Sequence, residues 1–420
     1  MTALAKLLYL VHRMPYPPNK GDKVRSYHLL KHLCARHEVH LGTFVDDPAD
    51  WAHLPTLQRL CASVQALPLN PRLARLASLR GLLLAQPLTL PYYRSARMAA
   101  WVHQALAGGG IDKVVVFSSS MAQYTGAVEP QKLLVDFVDV DSAKWTDYAP
   151  EHAWPLSWLY RREGERLLAY ERQVAARAQQ SFFATGKETA LFLASAPECR
   201  GRVSTMNNGV DAAYFAPDAQ RASPFQPGET AIVFTGAMDY WPNVDAVTWF
   251  AKEALPALRS RHPGLRFHIV GRGPTAAVQA LAGPGVNVTG TVPDVRPYLQ
   301  HAAVVVAPLR LARGIQNKVL EAMAMGRPVV AAKACVGALL ARPGEDLAAA
   351  DTVADYVDAV EALLSDSARA QRVGQAGRQC VLTRYDWAAQ MAALEACIQS
   401  PQPGRPHPAL SHGLEAGANP

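Results

Sequence analysis

The sequence predicts an α/β protein with two doubly wound parallel-sheet domains, and three observations lead to this prediction. The chain has 420 residues, enough for two domains of about 100–200 residues each. Half of the residues are hydrophobic, which supplies two buried cores. In both halves short apolar runs alternate with longer amphipathic stretches, and strands that are apolar on both faces are typical of parallel sheets covered by helices.

The apolar runs define the predicted strands in chain order. In the first half they span 6–11, 38–45, 113–119 and 132–140, and a helix is predicted over 22–37. In the second half they span 231–236, 265–271, 286–290, 303–309 and 328–332. Apolar residues with i, i+3, i+4 spacing predict a helix over 243–260, and 351–384 and 385–398 are also predicted to be helical.

The domain boundaries follow from this order and from local composition. The polar, proline-rich stretch 216–230 has no periodicity, which is typical of a linker between domains. We expect a first domain over 1–205, a hinge and linker over 206–230, a second domain over 231–384, a C-terminal helix over 385–400 that crosses back to the first domain, and a disordered tail over 401–420.

Composition excludes several classes of protein. The six cysteines form no CxxC pair and no Cys/His cluster with metal spacing, so neither a zinc module nor a disulfide framework is expected. No apolar run reaches the ~18 residues of a membrane-spanning helix. The N-terminal apolar run, 7–11, is too short for a signal peptide. We therefore expect a cytoplasmic protein.

The positive charge is concentrated in the first half of the chain. The net charge is +7, and no Asp or Glu occurs between Asp50 and Asp112. This stretch contains Arg59, Arg72, Arg75, Arg80, Arg94 and Arg97, several of them interleaved with leucines. The pattern fits a basic amphipathic helix on an anionic membrane surface, and equally a helix that packs its leucines on its own sheet. Phosphate, a lipid head group or nucleic acid could be the anionic partner.

The segment 312–332, ARGIQNKVLEAMAMGRPVVAA, carries the strongest functional signal. Gly314, Lys318 and Glu321 have i, i+4, i+7 spacing, which predicts one polar stripe on a helix that follows a buried strand. The start of such a helix can bind a diphosphate through backbone N–H groups and Lys318, and Glu321 can then accept hydrogen bonds from ribose hydroxyls. The alternative is an ordinary i, i+3 surface pair of Lys318 and Glu321.

A second candidate site lies at the start of the first predicted helix. Gly21, Asp22 and Arg25 follow a predicted strand and a Pro-rich turn. A glycine loop at a helix start can contact an anion or a sugar, although Gly and Asp also occur there as ordinary caps.

A third candidate site is a pair of carboxylates after the strand 132–140. Asp139 and Asp141, at i and i+2, point the same way at the carboxyl end of the strand. They could bind a divalent metal, contact substrate or cap the next helix. Two carboxylates without a third ligand do not make a metal site, so none is predicted.

The segment 308–331 resembles the donor-domain signature of the family-four retaining glycosyltransferases, which have two Rossmann-like domains in the GT-B fold. The matching positions are Glu321, Ala322, Met323, Ala324, Gly326, Pro328 and Val329. A second Glu of that signature is replaced here by Arg313. Segments 207–215, 234–247, 269–274 and 288–310 resemble other parts of the same domain. The segments 7–33 and 132–148 resemble sugar transferases associated with exosortase exopolysaccharide loci.

This resemblance implies a hexosyltransferase that uses a nucleotide-sugar donor, retains anomeric configuration and needs no metal or other cofactor. The implied acceptor is a saccharide, free or linked to a polyprenyl diphosphate at the inner face of the membrane. The implied donor-binding residues are Gly236, Arg272, Arg313, Gly314, Asn317, Lys318 and Glu321. The implied acceptor and sugar loop comprises Gly21, Asp22, Arg25, Asp139 and Asp141. Asp139, Lys318 and Glu321 are the implied catalytic residues.

Three other functions remain as alternatives. A nucleotide-sugar epimerase can share this fold, but the sequence contains no convincing acid/base set for it. A dinucleotide-dependent dehydrogenase is disfavoured because no GxGxxG follows a strand. A nucleic-acid-binding protein would suit the basic pI, but no such module appears in the sequence, and we predict no nucleic-acid partner.

Overall fold

The computed structural model describes residues 4–18, 21–310 and 314–400, and these form two α/β domains, each built on one parallel sheet. The first sheet has seven strands in the order β3-β2-β1-β4-β5-β6-β7. The second has six strands in the order β10-β9-β8-β11-β12-β13. The predicted fold class, two doubly wound parallel-sheet domains, is confirmed.

The strands of the first sheet are β1 (Lys6–Val11), β2 (Glu38–Val45), β3 (Ser63–Pro68), β4 (Lys113–Phe117), β5 (Leu133–Val138), β6 (Gln180–Phe183) and β7 (Val203–Thr205). Those of the second are β8 (Thr230–Thr235), β9 (Leu265–Val270), β10 (Val286–Gly290), β11 (Val304–Ala307), β12 (Val329–Ala332) and β13 (Ala348–Ala350). The nine predicted strands all occur, and β3, β6, β7 and β13 were not predicted. These four are short or only half-buried, so their apolar signal is weak.

The helices of the first domain are α1 (Gly21–Cys34), α2 (Leu54–Leu60), α3 (Pro71–Ser78), α4 (Arg80–Leu83), α5 (Thr89–Tyr92), α6 (Ala96–Ala107), α7 (Asp141–Tyr148), α8 (Leu156–Arg177) and α9 (Gly186–Ser195). Those that follow are α10 (Trp241–Trp249), α11 (Leu255–Arg261), α12 (Ala276–Gln279), α13 (Arg296–His301), α14 (Asn317–Ala324), α15 (Lys333–Val336), α16 (Val353–Ser365), α17 (Ser367–Arg384), α18 (Trp387–Gln390) and α19 (Ala392–Gln399). A π-helical turn, Phe250–Ala254, joins α10 to α11.

Each sheet changes the direction of its strand order once, and this change determines where a ligand can bind. The change lies between β1 and β4 in the first sheet and between β8 and β11 in the second. Open parallel sheets bind ligands at this point, outside the carboxyl ends of the strands. The two edges meet across a cleft, because a Cβ added to Gly314 after β11 would lie 3.7 Å from Asp139 Oδ1 after β5.

The last described segment, 385–400, returns to the first domain, and the tail predicted over 401–420 lies outside the described residues. Trp387 of α18 and Leu394 and Ile398 of α19 share one hydrophobic cluster with β1. Glu395 of α19 lies 3.0 Å from the ring of His37. The two domains are therefore joined both by the hinge near Asn208 and by this C-terminal segment.

A buried ion pair connects the first helix, the sheet and the hinge. Arg25 of α1 donates to both carboxylate oxygens of Asp136 on β5, at 2.8 and 3.0 Å, and to Asn208 Oδ1 at 2.8 Å. Asn208 in turn donates to Asn317 Oδ1 of α14 at 3.4 Å. Burial raises the pKa of Asp136 and the guanidinium of Arg25 opposes this rise, so the carboxylate depends on its partner.

We expect Asp136→Ala to lower the free energy of unfolding by about 3–5 kcal/mol, because it leaves the Arg25 guanidinium buried without a carboxylate. The double variant Arg25→Met/Asp136→Leu should lose less, since no charge is then left unpaired. Urea unfolding followed by circular dichroism measures both. Glu198→Ala, which breaks the exposed Arg172–Glu198 pair, serves as control and should change little. An Asp136→Ala protein that unfolds at the wild-type urea concentration would contradict the role of this pair.

Candidate active site

Lys318 lies at the point where the strand order of the second sheet changes. It is on the first turn of α14, after β11, and its Nζ donates to Asn243 Oδ1 on α10 at 2.6 Å. The same ammonium lies 4.0 Å from the centre of the Phe234 ring at the end of β8. Asn243 is held by its own donation to Ala237 O at 2.8 Å. The cation is therefore fixed against the loop that follows β8.

Gly314 is not on the helix, which corrects the predicted polar stripe. Helix α14 begins at Asn317, three residues later, and Gly314 has a φ of +64°. This left-handed conformation interrupts a right-handed helix, and glycine adopts it without steric cost. Gly314 therefore belongs to the loop that approaches the first domain, and Lys318 and Glu321 alone share the helix face.

The loops after β8 and β9 are pressed together beside Lys318. A Cβ added to Gly271 would lie 1.7 Å from Gly236 O, so no larger residue fits there without moving the backbone. A Cβ on Gly236 would lie 2.9 Å from Lys318 Nζ. Gly236, predicted to bind the donor, thus lies directly against the ammonium of Lys318.

Glu321 lies one turn after Lys318, and within the described residues its carboxylate forms no hydrogen bond or ion pair. The alternative of an i, i+3 surface pair is therefore wrong, since Lys318 bonds to Asn243 instead. The carboxylate acts electrostatically on Tyr214, so it lies near the hinge. It is available to accept hydrogen bonds from a ligand.

Burial disfavours the charged form of both ionisable side chains on α14, and it shifts both pKa values toward 7. It lowers the pKa of Lys318 to about 7, although Cys335 and Glu321 oppose the shift. It raises the pKa of Glu321 to about 7, and Lys318 opposes that shift. Perturbed titratable groups in a cleft are characteristic of functional sites.

Asp139 and Asp141 form the facing wall in the first domain. Lys144 Nζ of α7 donates to Asp139 Oδ2 and to Asp141 Oδ1, both at 2.9 Å. Burial by itself would lower the pKa of Lys144, but the two carboxylates outweigh it and raise that pKa above its ordinary value. Of the two, Asp139 approaches the second domain, at the 3.7 Å contact with Gly314.

The backbone before Asp139 is strained. Val138, the last residue of β5, has a φ of +70°, which is rare for a β-branched residue and costs energy. Its N–H bonds to Asp136 Oδ1 at 3.2 Å, so the buried carboxylate holds this turn in place. The turn directs Asp139 out of the sheet toward the cleft.

Arg25 cannot contact a sugar as predicted. It is buried, and its donors are occupied by Asp136 and Asn208, so its role is to hold the hinge. Asp22 accepts from Arg13 Nη1 at 2.7 Å and lies 3.6 Å from His12 Nε2. Among the described residues, apart from its own chain neighbours and helix backbone, no atom lies within 4 Å of the position a Cβ on Gly21 would take at the start of α1.

The remaining predicted donor residues differ in what they offer to a ligand. Arg272 follows β9, with its Nη1 3.7 Å from Asp239 Oδ2 and its buried Nε lacking a hydrogen-bond partner. The side-chain oxygen of Asn317 accepts from Asn208, so this side chain joins the hinge to α14. Arg313 lies outside the described residues. Across the described ranges, no group of three or more His, Cys, Asp or Glu side chains is arranged to hold a metal ion.

Three residues of the site escaped the sequence analysis. Asn243 holds Lys318 from 75 residues away, a distance that no local pattern reveals. Lys144 was detectable, since it follows Asp141 at the i, i+3 spacing of a helical ion pair. His12, after β1, stacks on Phe117 at 5.9 Å where the strand order of the first sheet changes, and its position after a central strand was its only signal.

Comparison with known proteins supports this architecture. Residues 229–366 match the family model "Glycosyl transferases group 1". Glycogen synthase of Mycobacterium tuberculosis is 30% identical over 199 residues, covering 44% of this chain and 45% of that protein. The chain spans about half the length of the curated relatives it matches.

Two solved structures are similar over most of the chain. HepE of Anabaena, in complex with UDP, has a TM-score of 0.66 at 16% identity and covers 93% of this chain and 98% of its own. Sucrose-phosphate synthase of Thermosynechococcus elongatus has a TM-score of 0.67 at 18% identity, with 93% and 97% covered. At these identities the likeness shows the fold. The chain therefore has the GT-B fold, and residues 229–366 within it are similar to the group 1 glycosyl transferases.

Proposed function

We propose that the protein is a glycosyltransferase that moves a hexose from a nucleotide sugar to a saccharide acceptor. One observation carries the proposal: Lys318, fixed by Asn243 in the segment similar to the group 1 glycosyl transferases, lies on a cleft edge that meets Asp139 of the first domain. Two similar proteins agree with this activity, since one is named D-inositol 3-phosphate glycosyltransferase and HepE was solved with UDP.

The second domain provides the groups that a nucleotide diphosphate requires. The N–H of Val319 donates to Gln316 O, and the N–H groups of Asn317 and Lys318 before it, together with the Lys318 ammonium, would bind the diphosphate. Glu321, one turn later, would accept hydrogen bonds from the ribose. Negative charge develops on the diphosphate as the glycosidic bond breaks, so a fixed ammonium stabilises the transition state. This ammonium supplies charge that a divalent cation supplies in metal-dependent transferases, and we propose that none is required.

Asp139 of the first domain would contact the transferred sugar. Because Lys144 binds it, this carboxylate is suited to accept hydrogen bonds from hydroxyls rather than to attack the anomeric carbon. We infer a retaining mechanism in which the departing diphosphate accepts the proton of the acceptor. Gly21 and Asp22 border the acceptor side of the cleft.

A basic, leucine-rich surface on the first domain favours a lipid-linked acceptor. On α3 and α4 most leucines face outward: Leu73 is 64% and Leu83 is 88% exposed, while Leu82 is half-buried and Ala74 packs inward. The alternative in which these leucines pack on the sheet is therefore wrong. Arg72, Arg75 and Arg80 are exposed beside them. We call these residues of α3 and α4 the Leu/Arg surface.

Further apolar side chains lie next to the Leu/Arg surface. Arg162 of α8 donates to Gly81 O at 2.9 Å, which joins the start of α8 to α4. Trp154, Leu156 and Trp158 at that end of α8 are exposed. No helix in the described part of the chain is long and apolar enough to cross a membrane. We propose that this surface holds a cytoplasmic enzyme reversibly on the inner membrane face, where a polyprenyl-diphosphate-linked saccharide would be elongated for an exopolysaccharide.

Lys318→Ala should weaken nucleoside diphosphate binding by roughly 10- to 100-fold, the equivalent of about 1.5–3 kcal/mol for a hydrogen bond to a charged group. Nucleoside binding should change little, because the partner of Lys318 is phosphate. Isothermal titration with UDP and uridine, and with the GDP and dTDP pairs, measures this difference. Lys187→Ala, at an exposed lysine of α9, is the control. Equal losses for nucleoside and diphosphate would argue against the phosphate role.

Nucleotide-sugar binding should be strongest near pH 7 and weaken on both sides. Above pH 7 Lys318 loses its proton, because its pKa is lowered to about 7, and below pH 7 Glu321 gains one, because its pKa is raised to about 7. One proton changes affinity by at most about tenfold per pH unit. A nucleotide sugar is the suitable ligand, since its phosphodiester does not titrate in this range.

Two variants test which residue causes the loss of affinity on each side of pH 7. Glu321→Gln should abolish the decrease at low pH and keep the decrease at high pH, and Lys318→Ala should do the reverse. Thermal-shift titration between pH 5 and 9 provides the affinities. A Glu321→Gln protein with an unchanged profile and affinity would remove the ribose assignment.

The triple variant Arg72→Gln/Arg75→Gln/Arg80→Gln should no longer sediment with anionic liposomes. Each Arg near an anionic surface contributes about 1 kcal/mol, and salt screens the attraction within a Debye length. The variant should still transfer sugar to a soluble acceptor. Arg200→Gln/Arg369→Gln/Arg372→Gln, with the same charge change on exposed residues elsewhere, is the control. Equal sedimentation with neutral and anionic vesicles would refute electrostatic binding.

A further inference from the structure

A groove runs along one face of α10 and starts at the cleft. Trp241, Val244, Thr248 and Trp249 line it at i, i+3, i+7 and i+8, which places them on one face of α10, and Lys252 lines it from the π-helical turn that follows. Ala277 and Arg310 line it from neighbouring elements. Its volume of about 370 Å³ falls within the range of small-molecule sites. From Trp241 to Trp249 the helix rises roughly 12 Å, more than one sugar ring.

Exposed aromatic rings connect this groove to the candidate active site. Tyr240 and Trp241, at the start of α10, are 60% and 59% exposed, and Tyr148 in the first domain is 50% exposed. Tyr240 is close to the carboxylate wall: burial first, then Tyr148 and Asp139, raise its pKa, while Lys144 lowers it. Three residues after Tyr240, Asn243 of α10 holds Lys318. Tyr240 therefore lies on the cleft side of the start of α10, and Trp241 lies at the adjoining end of the groove.

The charges in the groove differ from those of the Leu/Arg surface. Arg310 Nε donates to Asp245 Oδ2 at 3.0 Å, and Lys252 and Glu253 add one charge of each sign. With two cations and two anions the lining has no net charge, whereas the Leu/Arg surface presents arginines without carboxylates. A neutral groove does not attract an anionic bilayer or a polyphosphate.

The chemistry of the lining matches a carbohydrate. The C–H faces of sugar rings pack on aromatic rings, and sugar hydroxyls form hydrogen bonds with paired charged groups. The combination of an exposed tryptophan and paired charges is what a row of hydroxylated rings requires.

We propose that this groove binds the saccharide chain of the acceptor, beyond the sugar that is glycosylated, so that the enzyme elongates oligosaccharides in preference to monosaccharides. This inference rests on the proposed function. It adds a specificity subsite on the second domain, with Trp241 nearest the cleft and Lys252 farther along the groove.

Isothermal titration with a fixed panel tests the proposal: gluco-, galacto- and manno-oligosaccharides of one to six units, with a nucleoside diphosphate present. Wild-type affinity should rise at least tenfold from monosaccharide to tetrasaccharide in at least one series. Trp241→Ala should abolish this rise, and Lys252→Ala should weaken only the longest oligosaccharides. Trp51→Ala, at an exposed tryptophan of the first domain, is the matched control and should bind like wild type.

Two results would refute the proposed role of the groove. One is a wild-type affinity that does not depend on oligosaccharide length in any series, and the other is a length dependence that Trp241→Ala retains. Nucleotide-sugar binding by the same preparations separates this failure from failure of the proposed function. If wild-type protein binds a nucleotide sugar and Lys318→Ala weakens that binding, only the subsite is refuted. If the wild type binds no nucleotide sugar, the proposed function itself is refuted.

Discussion

The buried ion pair of Arg25 and Asp136 connects α1, β5 and the hinge, and so fixes the position of the first domain's carboxylates relative to α14. Asp136 belongs to β5, three residues before Asp139, and also holds the strained turn at Val138. Arg25 carries the interaction to Asn208 in the hinge, and Asn208 reaches Asn317 at the start of α14. The two charged walls of the cleft are therefore positioned from the same buried group. A charge removed from water is costly to leave unpaired, so this arrangement resists change.

The second domain keeps the charged groups of Lys318 and Glu321 partly out of water. Lys318 is held by an amide, Asn243, and not by a carboxylate, so its positive charge is not neutralised. Glu321 has no partner among the described residues and stays available. Burial moves both pKa values toward 7, which makes the free site electrostatically unfavourable. A diphosphate that pairs with Lys318 would relieve part of this cost, and so would a ribose that donates to Glu321.

Two exposed surfaces of the protein differ in charge and therefore in the ligand they suit. The Leu/Arg surface combines outward leucines with exposed arginines, which suits lipid tails and anionic head groups. The groove along α10 combines tryptophans with charges that cancel, which suits uncharged, hydroxyl-rich rings. A lipid-linked saccharide contains both chemistries, and both surfaces belong to the same chain.

The sequence by itself determined the fold class, nine of the thirteen strands in the described residues, and the segment that carries Lys318 and Glu321, because each depends on local periodicity or motif. Only the tertiary structure decided which polar groups are free. Arg25 meets partners 111 and 183 residues away, so its burial could not be inferred from its position near the start of the first helix. In the same way Asn243 and Lys318 meet across 75 residues, and the leucines of α3 and α4 face solvent although their spacing also fits a core. The reason is physical: periodicity records which face of an element is apolar, whereas pairing and exposure depend on the elements that pack against it.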